Sequence, residues 1–86
     1  MYIMYGECVP TIIIYGRVRF CIYPKDHRPA HVHVIAGEAH AKFEIITGQC
    51  ISSVGFSSKA LTKLSVKVLE HRKELMQAWK EFEGED

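Results

Sequence analysis

Proline, cysteine and long apolar runs are all scarce in this chain, and each scarcity removes a class of protein. The longest apolar run, Thr11 to Tyr15, is far shorter than the ~20 residues a membrane-crossing helix needs. Cys8, Cys21 and Cys50 are odd in number and widely spaced. They therefore build neither a disulfide framework nor a Cys-x-x-Cys zinc site. Only three prolines set against 10% aromatic residues argue for a folded chain rather than a disordered one. A formal net charge of +1 is too small for strong nonspecific attraction to nucleic acid. No glycine-rich phosphate loop is present. The opening MYIMYGECVP lacks the basic start and long apolar stretch of a signal peptide, so a reducing cytoplasm is the expected location, without membrane attachment.

What is there fits one domain of 86 residues, since a second core needs about a hundred more. Residues 10–56 read as a sheet. Thr11–Tyr15 is a β-branched run closed by Gly16, and 17–23 (RVRFCIY) alternates polar with apolar, the period of a half-buried strand. The segment 24–30 (PKDHRPA) reads as a loop, His31–Ile35 and Ala39–Ile46 as further strands, Thr47-Gly48 as a turn and Cys50–Val54 as a short fifth strand. From Ser57 the period changes: Leu61, Leu64, Val68, Leu75, Trp79 and Phe82 recur at helical spacing, with Ser57 or Ser58 as N-cap. An unbroken helix of about 25 residues would run about 38 Å, long for this domain. The helical part, 57–83, is thus one long helix or two short ones separated near His71-Arg72, with an acidic end, 84–86, that frays. The expected fold is two-layer α+β, an antiparallel sheet of four to five strands packed against the C-terminal helix or helices.

Alternation sorts the strand residues. Val18, Phe20, Ile22, Val32, Val34, Ala41, Phe43 and Ile45 fall on the face the helix covers. Arg17, Arg19, His31, His33, His40, Lys42 and Glu44 fall on the other, which reads either as a solvated face or as a docking surface for an anionic or protein partner. Cys21 and Cys50 read as small buried hydrophobes without a group to activate them. Lys59, Lys63 and Lys67 line one solvated helix face.

The densest chemistry is Asp26-His27-Arg28-Pro29-Ala30-His31-Val32-His33. His31 and His33, two apart on a strand, have alpha carbons roughly 6.5 Å apart on one side. With His27 or Asp26 they make a candidate zinc set of three ligands and an open position. The competing reading is structural, histidines satisfied by loop backbone or carboxylates. Histidine-triad nucleotide hydrolases need a third alternating histidine where this chain has Ile35.

Taken together, Pro10-Thr11-Ile12, Tyr15-Gly16, the Asp26-His27-x-Pro29-x-His31-Val-His33 run, Thr47-Gly48, His71-Arg72-x-Glu74-Leu75 and Trp79 resemble a family of small bacterial proteins, domain of unknown function 4160. Its members read roughly P-T-I, Y-G, D-H-x-P-P-H-F-H, T-G and a closing W. Ala30 stands where the family has a second proline, and residues 1–9 become an N-terminal extension. The resemblance implies two-gene toxin–antitoxin pairs or phage and mobile-element conflict modules. The leading expectation is therefore a non-enzymatic protein that binds a protein partner, through Arg17, Arg19, Asp26, His27, Arg28, His31 and His33, without a cofactor. The alternatives are a metal-dependent hydrolase or nuclease built on His27, His31 and His33, with zinc as the metal, and a nucleic-acid-binding module using the basic sheet face. No motif specifies an oligomeric state.

Overall fold

Five strands follow one another in space in the order they follow in sequence. The computed structural model describes residues 11–23 and 28–83; the expected extension, the first half of the histidine loop with Asp26 and His27, and the acidic tail lie outside them. The strands are β1 (Thr11–Tyr15), β2 (Val18–Cys21), β3 (His31–Ala36), β4 (Ala39–Glu44) and β5 (Cys50–Val54), all antiparallel. Two two-residue links set the register. Gly16-Arg17 joins β1 to β2 and Gly37-Glu38 joins β3 to β4, and both glycines take φ near +60°, a conformation that costs a side-chain-bearing residue about 1–2 kcal/mol.

β4 stops two residues before the expected end. At Ile45 the chain turns: Gly48 N–H donates to the Glu44 carbonyl at 2.8 Å, and Glu44 N–H to the Gln49 carbonyl at 2.8 Å. Ile45 still donates to the Ala30 carbonyl and is fully buried, so the pairing with β3 outlasts the strand by one residue.

The helical part is two helices, α1 (Ser58–Glu70) and α2 (Arg72–Glu83). Ser57 is the N-cap, its Oγ accepting from Ala60 N–H at 3.1 Å. The break falls at His71, whose Nδ1 sits 2.7 Å from Glu74 Oε1. Two anchors hold the junction over the end of β4. Ser65 Oγ donates to the Gly48 carbonyl at 2.6 Å, and Arg72 Nη1 donates to the Ile46 carbonyl at 3.1 Å.

One apolar cluster joins the two layers. Phe20, Ile22, Val32, Val34, Ala41, Phe43 and Ile45 from the sheet pack with Leu64, Val68, Leu75, Ala78 and Trp79 from the helices. Alternation and helical spacing select all of these except Ala78, while Val18, Leu61 and Phe82, also selected, are only half-buried against the cluster; each large buried side chain stabilises the fold by about 1.5–3 kcal/mol. Cys21 is buried as expected, but Cys50 is only half-buried, because β5 is an outer strand. Among the described residues no helix is long and apolar enough to cross a membrane.

Candidate functional site

β3 is the middle strand, and its first four residues, His31 to Val34, are all buried. Val32 and Val34 face the helices as alternation requires. His31 and His33 point the other way, yet only 2% and 9% of their surface is exposed. The exposure that both the solvated and the docking reading of this face require is therefore corrected at its centre, where Cys21, paired with His33, is buried as well.

Aromatic neighbours account for part of that burial. Tyr23 packs on His33 with ring centroids 4.1 Å apart, and His31 meets His33 edge-on at 5.1 Å. The Trp79 ring lies 5.2 Å from that of His31, so one α2 side chain serves both the core cluster and the histidine row. His40 of β4 stacks on His33 at 5.4 Å. The register places Ile35, not His33, opposite His40, so the two histidines are diagonal neighbours across the hairpin.

Hydrogen bonds then fix the rings. His31 Nδ1 is 2.7 Å from the Pro29 carbonyl. A carbonyl only accepts, so Nδ1 carries the proton and neutral His31 presents Nε2 as its acceptor nitrogen. His33 Nδ1 lies 3.2 Å from His40 Nε2, which requires one ring to donate and the other to accept. Among the described residues no buried side-chain nitrogen or oxygen lacks a partner. The loop-backbone form of the structural reading thus applies to His31. Among the same residues no three histidine, cysteine or acidic groups converge on a common point, and the third expected ligand, His27, lies outside the described residues.

The expected arginines are divided between two places. Arg17 is in the exposed link before β2 and Arg19 is exposed on β2, whereas Arg28 is exposed beyond the other end of that strand, three residues before β3. By register Arg19 is a diagonal neighbour of His33, on the other side of it from His40. Lys42 and Glu44, opposite His33 and His31, are half-buried. Sequence reasoning missed two participants: His40 as the partner of His33, and Trp79 as the neighbour of His31.

Exposed apolar side chains supply the rest of the accessible chemistry. Ile14 and Tyr15 on β1 are 69% and 53% exposed, and the Lys67 ammonium stands 4.3 Å above the Tyr15 ring, a cation–π contact. At the other outer strand, Ile51 and Val54 are similarly open.

No curated protein and no solved structure matches the chain. A family model does, over residues 17–80, a span holding the Gly37-Glu38 link, the histidine row and Trp79. By that match the chain belongs to the family described as Domain of unknown function (DUF4160).

Proposed function

We propose that the protein is a small protein-binding module, one component of a toxin–antitoxin-type pair or a mobile-element inhibitor that docks on a host protein. The observation that supports this best is the character of β1. It is an outer strand of the described sheet, it contains neither proline nor charge, and it leaves Ile14 and Tyr15 open to solvent. Proteins ordinarily protect such an edge with charges, prolines or a covering element. An edge of this kind accepts an extended strand from another chain, with backbone hydrogen bonds supplying affinity and side chains supplying choice of partner. Arg17, Arg19 and Lys67 flank it, which favours a partner strand carrying carboxylates. In this reading His31 and His33 hold the sheet's shape, and the contacts come from the exposed residues. The test is recovery of the partner from the native host with wild-type protein, compared with Ile14→Lys. Loss of the partner with Ile14→Lys supports the reading, and undiminished recovery rejects it.

The metal-dependent hydrolase remains a second reading because of one feature: the Pro29 carbonyl orients His31 through Nδ1, the kind of second contact that metal-ligating histidines make.

A further inference from the structure

One row of side chains crosses the whole sheet on the face away from the helices. Register sets Ile14 beside Arg19, Arg19 beside Ile35, Ile35 beside His40 and His40 beside Val54. The next row along holds Cys21, His33 and Lys42. The rows differ in access: Cys21 and His33 are buried, whereas Arg19 is exposed and Ile35, His40 and Lys42 are half-buried. Only β3 separates Arg19 from His40, so their backbones lie about 10 Å apart, twice the strand spacing. Lys42 is two residues beyond His40 on the same side of β4. Among the described residues the Arg19 and Lys42 side chains have no hydrogen-bond or ion-pair partner, and His40 uses only Nε2, on His33. The nearby acid, Glu44, lies opposite His31 and accepts from the Thr47 hydroxyl.

Three unused donors around an apolar floor suit a tetrahedral anion. We propose that this face binds a single phosphate group over Ile35, held by Arg19, His40 and Lys42. The Arg19 fork supplies paired N–H donors, Lys42 an ammonium and His40 its Nδ1–H. A phosphate takes donors from three directions, whereas a planar carboxylate is satisfied by an arginine fork alone. The bound group also sets the direction of the neighbouring hydrogen bond. With His40 Nδ1–H given to the phosphate, His40 Nε2 accepts and His33 Nδ1 donates. The row bounds the ligand as well. Ile14 and Val54, 69% and 70% exposed, close it at both ends with apolar groups. The cations therefore make one seat and not the continuous track that a polyanion needs. A small phosphorylated molecule fits this seat better than a nucleic-acid strand. The seat lies on the sheet face and owes nothing to the β1 edge, so it stands independently of the protein-docking reading.

The experiment is titration of the full chain with sodium phosphate, followed by backbone amide NMR shifts. Sodium acetate and a DNA strand of about ten nucleotides are titrated at matched ionic strength. Wild type is compared with Arg19→Gln, Lys42→Gln and Lys63→Gln, Lys63 being an exposed α1 lysine outside the seat. The expected result is saturable shifts with phosphate, centred on Arg19, Ile35 and His40, and none with acetate. Arg19→Gln and Lys42→Gln should each weaken phosphate binding about tenfold or more, the loss of one charge-assisted hydrogen bond. Lys63→Gln should bind as wild type does. Amide spectra that match wild type away from the substituted residue separate lost binding from a lost fold. Failure to saturate with phosphate, or an equal response to acetate, overturns the inference. So does a loss not shared by Arg19→Gln and Lys42→Gln, an equal loss in Lys63→Gln, or tighter binding of the DNA strand than of phosphate.

Discussion

His33 and His40 touch through a single ring-to-ring hydrogen bond, Nδ1 to Nε2 at 3.2 Å, across the diagonal of the β3–β4 hairpin. Because one imidazole must donate and the other accept, the pair behaves as a unit. A double-mutant cycle with His33→Ala and His40→Ala should give a coupling energy of about 1 kcal/mol, the value for a side-chain hydrogen bond between part-buried groups. Urea denaturation of the four proteins measures it. Strictly additive losses would mean that the contact contributes nothing of its own.

Gly48 and Gly16 separate the two causes of glycine dependence. Both have positive φ, but a Cβ at Gly48 would lie 2.7 Å from Leu69 Cγ, while one at Gly16 meets nothing within 4 Å. Gly16→Ala should cost about 1–2 kcal/mol, the left-handed backbone penalty alone. Gly48→Ala should cost more by about 1 kcal/mol, because Leu69 must give way as well. Denaturant midpoints at constant m would show the order, and equal losses would put Leu69 out of the account.

Ser57→Ala removes the side-chain acceptor for Ala60 N–H and should lower stability by about 1 kcal/mol. Ser57→Asp should restore it, since a carboxylate accepts the same bond and suits the positive end of the helix. Thermal unfolding of the three proteins distinguishes a cap from an inert surface serine.

The metal reading has its own measurement. Purified protein should carry no near-stoichiometric zinc, and added zinc should leave the melting temperature unchanged, because two histidines on one strand are fewer ligands than a zinc site needs. Bound zinc that is lost in His31→Ala would instead favour the hydrolase.

Arg17→Glu with Arg19→Glu and, separately, Arg28→Glu test the basic groups. Arg17 and Arg19 are exposed, so stability of the double variant should change by less than about 0.5 kcal/mol. Partner binding should weaken by about 1 kcal/mol or more in the double variant, beside β1, and less in Arg28→Glu, at the other end of β2. Nucleic-acid binding that falls steeply with salt and vanishes in the double variant would favour the third reading.

Most of the architecture is legible in the chain itself. The isoleucine run of β1, the alternation through Val18, Phe20 and Ile22, and the change to helical spacing at Ser57 each have a single physical interpretation. The interruption at His71 is not decided by length, which leaves one long helix or two short ones open. The histidine row is less legible. Alternation says which way His31 and His33 point but not what covers them, and here Tyr23 and Trp79, 8 and 48 residues from His31, supply the neighbours. The His33–His40 contact had a usable signal. If Gly37-Glu38 is taken as a two-residue link, Ala36 faces Ala39 and Ile35 faces His40, and the diagonal pair follows. The division of the arginines was hidden because Arg17 and Arg28 look close in sequence while a strand runs between them.

The sequential strand order, with each strand beside its predecessor, also bears on how the chain folds while it is being made. Closing a two-residue link costs little chain entropy compared with bringing distant segments together, and a single β-hairpin forms in about 1–10 µs. Synthesis adds only about 5–20 residues per second. Each hairpin can therefore equilibrate before the next strand emerges, with no distant segment to wait for. By the time Trp79 leaves the ribosome, the sheet it will cover has had all five of its strands available to pair.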